Sequence, residues 1–154
     1  MGWERYVETT IDGLTYRFPE AAYYSADGLW VAVDGQYARV GVGDYLCRCI
    51  SPSLNFIEPR GPGTEVRQGE DMGRFDLVTI DVPILSPVSG VIQEINDELI
   101  SNLWLLDSDP YGEGWLALVS LTDFATDRES LLDAQGYLDL LREAAKSSML
   151  MIDE

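Results

Sequence analysis

Few side chains in this chain of 154 residues could carry out catalysis. Histidine is absent, which removes His-dependent nucleophile triads, the commonest general base and most zinc sites. Cys47 and Cys49 form a C-x-C pair, and a redox or metal role for them would need further soft ligands. No third cysteine is present. We therefore expect two thiols on one face of a strand, with a structural role.

Carboxylates are the remaining candidates for chemistry. Asp107, Asp109 and Glu113 lie close together in "DSDPYGEGW" and could suggest acid/base work or calcium binding. Their spacing lacks the regular oxygen donors of an EF-hand loop. We favour solvated turn residues, and we expect an enzymatic role for the chain least of all.

The charge of the chain limits its partners. Twenty-seven acidic residues against ten basic ones give a net charge of −17 and a pI near 4.1. Such a surface repels phosphate backbones and anionic lipids, so we expect neither nucleic acid nor membrane as a partner. The acidity serves either solubility or docking of basic proteins.

No apolar run is long enough to cross a bilayer, and "MGWERYVETT" does not resemble a secretion signal, so a cytoplasmic location is expected.

Short β-type segments follow one another along most of the chain. A strand or hairpin is expected at 11–18, a hairpin around Asp34-Gly35 at 29–43, and strands at 54–59, 90–97 and 115–121. The stretch "RFDLVTIDVPILSPVSG" indicates two extended runs, with a bend between Val82 and Ile84. From Asp127 to Ser147 leucines recur at helical spacing, which predicts an amphipathic helix.

These elements predict a mainly β fold, a barrel or sandwich covered by a C-terminal helix. We divide the chain into an N-terminal extension at 1–18, a β domain with its helix at 19–147 and a tail at 148–154.

Five motifs occur in an order that resembles the H protein of the glycine cleavage system, a family of the lipoyl-domain superfamily. They are "YYSADGLWVAV", "VGVGDYL", "GTEVRQGEDMG", "SPVSGVIQEIND" and "DPYGEGWL". The resemblance implies a barrel-sandwich hybrid fold from about Pro19 to Leu141. It also implies a hairpin whose tip holds a lipoylated lysine, on an arm that carries an aminomethyl group between enzymes.

The lysine of that family stands seven residues before the serine of "SPVSG". Counting back from Ser86 leads to Thr79, in the run Asp76-Leu77-Val78-Thr79. Lipoylation forms an amide and needs an amine on a flexible stem, which a stiff threonine hydroxyl does not supply. The single lysine, Lys146, falls on the expected C-terminal helix. We therefore expect Thr79 to be unmodified, with no lipoyl cofactor and no metal.

Three functions follow from this resemblance. The preferred one is a non-catalytic adaptor or regulator that binds proteins, such as glycine cleavage or lipoyl-handling enzymes. The alternatives are an aminomethyl carrier that uses another residue, and a small-ligand module that uses the family cavity. Plain packing is the favoured role of the aromatic residues near that cavity, which are Tyr23, Tyr24, Trp30, Tyr111 and Trp115. Solvated turns are likewise favoured over a basic patch for Arg48, Arg60, Arg67 and Arg74.

Overall fold

The computed structural model describes residues 3–152, with side chains through Lys146. The described residues form eleven strands: β1 (Tyr6–Ile11), β2 (Leu14–Pro19), β3 (Tyr23–Tyr24), β4 (Leu29–Asp34), β5 (Tyr37–Val42), β6 (Leu54–Pro59), β7 (Glu65–Val66), β8 (Asp71–Leu77), β9 (Asp81–Leu85), β10 (Gly90–Ile95) and β11 (Trp115–Leu121). They also form five helices: α1 (Asp44–Ile50), α2 (Asp97–Ser101), α3 (Trp104–Ser108), α4 (Phe124–Asp127) and α5 (Ala134–Ile152).

Three antiparallel sheets build the molecule. The largest has the order β3-β4-β5-β11-β10-β7, a second has the order β6-β8-β9, and β1 pairs with β2. The main core takes buried apolar side chains from both larger sheets and from α1 to α3. It includes Val31, Val40, Met72, Ile84 and Val119. Closing two sheets on one apolar core removes those faces from water. The predicted mainly β barrel-sandwich fold is confirmed.

The β4–β5 hairpin supplies the second and third strands of the large sheet. Asp34 pairs with Tyr37, so the two-residue turn is Gly35-Gln36, one position later than the sequence predicted. Gly35 has a φ of +64°, which glycine adopts without steric cost. The two β-rich runs therefore located the hairpin correctly, but the Asp34-Gly35 dipeptide placed its turn one residue too early.

The N-terminal hairpin of β1 and β2 turns at Asp12 and Gly13, where φ is +53° and +81°. Positive φ at both positions is the signature of a tight I′ turn. The hairpin packs on α5 and forms a second core there, to which Phe18, Trp30 and Tyr137 belong. The expected limit of the extension, at residue 18, falls inside β2.

The C-terminal helix begins later than predicted. Its predicted range was 127–147, whereas α5 spans Ala134–Ile152, preceded by α4 and a 3₁₀ turn at Arg128–Ser130. The Asp133 carboxylate accepts a hydrogen bond from Gly136 N at 2.7 Å, which caps the helix. The leucine periodicity runs through this break, so it did not reveal the true start. The proposed tail at 148–154 is helical through Ile152, and its last two residues lie outside the described part.

Candidate functional site

The tip of the β8–β9 hairpin is Val78-Thr79-Ile80. Leu77 N donates a hydrogen bond to Ile80 O at 2.8 Å and closes the turn, while Val78 N donates to Ser53 O at 2.9 Å. The bend predicted between Val82 and Ile84 is therefore wrong, because the chain reverses at 78–80. Pro83 lies within β9, an edge strand, where its missing N–H need not interrupt a ladder.

The tip is apolar and exposed. The side chains of Val78 and Ile80 are 77% and 59% exposed, and Thr79 between them is also exposed. Three β-branched residues in a row give stiff side chains. The tip has no amine and no acidic group. Lys146 lies on α5, which packs on β1, β2 and β3 rather than on the sheet of the hairpin.

Arg74 holds the base of the hairpin. Its guanidinium contacts Glu58 at 3.2 Å on β6 and pairs with Asp81 on β9. The hydrogen bond that Arg74 donates to Glu58, and then the charges of Asp81 and Glu58, raise the pKa of Arg74. Arg60 likewise lies 3.7 Å from Asp71. Two of the four arginines considered for a basic patch are therefore offset by neighbouring carboxylates.

The corner after β9 is fixed by a buried aspartate that the sequence did not single out. Asp127 accepts hydrogen bonds from Ser89 N at 2.6 Å and from Ser89 Oγ at 3.1 Å. Gln68 joins this network by donating to Asp127 O at 2.8 Å. A buried carboxylate is stable only with such donors. Asp127 thus ties "SPVSG" to α4, and we assign it a structural role.

The two cysteines do not share a strand face, because both lie on α1. Residues two apart on a helix point about 200° apart. Accordingly Cys47 is buried, with its Sγ donating to Val42 O at 3.4 Å, whereas Cys49 is exposed. Burial raises the pKa of the Cys47 thiol, so it is not a nucleophile at neutral pH.

Two of the three carboxylates near α3 accept hydrogen bonds from different donors. Asp107 accepts a hydrogen bond from Ser51 Oγ at 2.8 Å, and Asp109 accepts one from Glu113 N at 2.9 Å. Over the described part of the chain, no three His, Cys, Asp or Glu side chains group closely enough to hold a metal ion.

The five aromatic residues are mainly packing elements, and Trp115 is partly buried against the second core. Tyr24 and Trp30 are buried in the second core, where Tyr24 Oη donates to Pro19 O at 2.7 Å and Trp30 Nε1 donates to Pro110 O at 3.0 Å. Tyr23 packs edge-on against Phe124. Tyr111 also lines an open cavity beside the N-terminal hairpin.

Fold and site together define a barrel-sandwich domain that presents a hairpin and has no catalytic constellation among its described residues. The family model for the glycine cleavage H-protein matches residues 22–144, and the chain belongs to that family. Members of this family are carrier proteins rather than catalysts, and the chain is not an enzyme. No helix in the described range is long and apolar enough to cross a membrane.

Individual relatives agree with this assignment. The chain is 33% identical over 125 residues to the glycine cleavage system H protein of Carboxydothermus hydrogenoformans, covering 81% of this chain and 95% of that one. It is 35% identical over 127 residues to that of Herpetosiphon aurantiacus, covering 82% and 95%. The crystal structure of a glycine cleavage system H protein from Mycobacterium marinum superposes with a TM-score of 0.66 at 26% identity, covering 78% and 95%.

Proposed function

We propose that this protein is a non-lipoylated member of the H-protein family, which binds a partner protein through its hairpin tip. It would act in the cytoplasm as an adaptor or regulator in glycine cleavage or lipoyl metabolism. The observation that carries the proposal is the composition of the tip, Val78-Thr79-Ile80, which offers two exposed apolar side chains and no amine.

The attachment chemistry supports the first half of the proposal. Forming a lipoyl amide needs a primary amine on a long, mobile stem. Thr79 has a hydroxyl on a stiff β-branched side chain, at the position that the resemblance assigns to the lysine. Lys146 is exposed on α5, the helix that packs on the N-terminal hairpin.

The exposed apolar groups support the second half. Isolated exposed valines or isoleucines are common, but two at the apex of one supported hairpin form a projecting knob. The whole chain is strongly acidic, with a net charge of −17. The matching partner is therefore a protein with an apolar socket and a basic rim, since complementary charge steers encounter and fixes orientation.

Intact mass spectrometry tests the modification directly. The protein is co-expressed with a lipoate ligase, and its mass is compared with that of Thr79→Lys prepared in the same way. We expect no added mass for the natural sequence, and the mass of one lipoyl group for Thr79→Lys. A lipoyl group on the natural sequence would overturn the proposal.

The second candidate function is that of an aminomethyl carrier, and the similarity to curated H proteins over most of the chain favours it. It predicts that the purified protein restores glycine cleavage when mixed with the other components of the system. Lys146→Arg is the sharpest variant for this case, because it removes the one lysine and keeps the charge. Activity that is lost in Lys146→Arg would support the carrier and contradict our proposal.

A further inference from the structure

A cavity of about 340 Å³ opens where the N-terminal hairpin meets the start of α1 and the turn at Pro110 to Gly112. Its volume lies in the range of small-ligand sites. Trp3, Tyr6 and Arg17 line one side and precede the family-matched range of 22–144. The cavity adjoins Asp44, the first residue of α1. The segment Ser51–Ser53, which supports the hairpin tip, comes directly after Ile50, the last residue of α1. The two places are thus separated by a helix of seven residues, or about 10 Å.

Aromatic rings form walls of this cavity, and hydrogen bonds fix two of them. Trp3 Nε1 donates to Tyr111 O at 2.9 Å, and the Trp3 ring packs edge-on against Trp30 with 6.1 Å between centroids. Tyr111 Oη accepts a hydrogen bond from Asp44 N at 2.9 Å. Burial raises the pKa of Tyr111, so its phenol stays protonated. The walls are therefore preorganised before any ligand arrives.

The charges in the cavity favour a cation. Arg17 lies over the ring of Tyr6 at 4.0 Å and beside Glu8 at 3.6 Å, which offsets its charge. The carboxylates of Asp44 and Asp109 each accept one main-chain N–H, from Arg17 at 3.0 Å and from Glu113 at 2.9 Å. Among the described residues neither carboxylate forms a salt bridge. Both keep oxygen lone pairs available, and the whole chain is acidic.

We propose that this cavity binds an alkylammonium group, supplied by a free amine or by a lysine side chain of another protein. Aromatic rings attract organic cations through their quadrupole; Arg17 already covers Tyr6, so Trp3 and Tyr111 are the rings that would serve the ligand. The carboxylates accept the N–H donors of the ammonium group. A carboxylate or phosphate ligand would instead meet the like charges of Asp44 and Asp109. The site goes beyond the proposed function, and neither depends on the other.

Nuclear magnetic resonance of the Trp3 indole N–H gives a local readout. The full chain is titrated with butylammonium chloride and, in parallel, with sodium butyrate. We expect a saturable shift of the Trp3 signal with butylammonium and none with butyrate. The signal is identified by its loss in Trp3→Phe. Equal or tighter response to butyrate, or a shift that never saturates, would overturn the proposal.

Charge-removing variants complete the test. Asp44→Asn and Asp109→Asn keep an oxygen that can accept the main-chain N–H, and together they should weaken butylammonium binding about tenfold. Asp34→Asn, at the β4–β5 turn, is the matched control and should bind as the parent does. An equal loss of butylammonium affinity in Asp34→Asn would show that the affinity depends only on the net charge of the chain. That result would contradict the site. If a lysine-containing tripeptide binds more tightly than butylammonium, the alkylammonium group comes from a lysine of another protein. If butylammonium binds more tightly, it comes from a free amine.

Discussion

The main chains of Tyr24 and Leu132 exchange two hydrogen bonds of 2.8 Å, one in each direction. This antiparallel bridge attaches the segment before α5 to β3, one of the two edge strands of the large sheet. It also brings Tyr137, in the first turns of α5, into a stack on the Tyr24 ring, with centroids 5.2 Å apart and planes 5° apart. The bridge and the stack together hold α5 over the second core.

Removing the cap of α5 should loosen this attachment. In Asp133→Ala the Gly136 N–H loses its carboxylate acceptor, and we expect a loss of about 1 kcal/mol in the free energy of unfolding. Urea unfolding followed by circular dichroism measures the change. Asp139→Ala, on the exposed surface of the same helix, is the control and should cost less. Equal losses in the two variants would contradict the capping role of Asp133.

Gly41 should not tolerate a side chain. It pairs with Trp30 across β4 and β5, and a Cβ on Gly41 would overlap the indole ring. We expect Gly41→Ala to lower the free energy of unfolding by about 1–3 kcal/mol, because the ring must shift in a packed core. Gly61→Ala, where a Cβ meets no atom within 4 Å, is the matched control. If neither substitution changed the free energy of unfolding, the Trp30 ring would have room to move, and the prediction would be wrong.

Local sequence patterns predicted a strand well where the residues of that strand themselves carry the pattern. The run 54–59 was predicted to its ends, alternation located β10, and a hydrophobic run after a turn located β11. The family motifs assigned Thr79 to a hairpin tip, and the residue does lie between β8 and β9. Its role as an unmodified lysine replacement stays a prediction.

The errors arose where contacts between distant segments decide the local structure. The segment with Cys47 and Cys49 forms a helix because Cys47, Ile50 and their neighbours pack into the main core, a contact that no local pattern contains. The start of α5 depends on Leu132 pairing with Tyr24, more than a hundred residues away. The cavity at Trp3 brings together three distant segments, so its residues were missed except for Tyr111 and Asp109, which were considered for other reasons.

Stability should fall at alkaline pH through the buried tyrosines. Burial, and then the neighbouring ring, raise the pKa of Tyr24 above 10.0, and burial chiefly raises that of Tyr137. The unfolded chain therefore loses these protons first. The stability is intact below about pH 10 and declines above it, by about 1.4 kcal/mol per pH unit for each such tyrosine.

Urea unfolding at a series of pH values between about 9 and 11 measures this decline. Tyr137→Phe removes one of the titrating groups and should make the decline shallower. Tyr37→Phe alters an exposed tyrosine and is the matched control, with a decline parallel to that of the parent protein. A Tyr137→Phe variant with the parent slope would show that its phenol is not protected in the fold.

The apolar tip should matter for binding and not for folding. Val78→Ser combined with Ile80→Ser changes exposed side chains, so the free energy of unfolding should stay within about 0.5 kcal/mol per substitution. We expect the same pair to abolish binding to immobilised glycine cleavage enzymes or lipoate ligase, measured by surface plasmon resonance. Val33→Ser, an exposed valine on β4, should bind as the parent protein does. Unchanged binding of the tip variant to a partner that the parent binds would move the docking surface away from the hairpin.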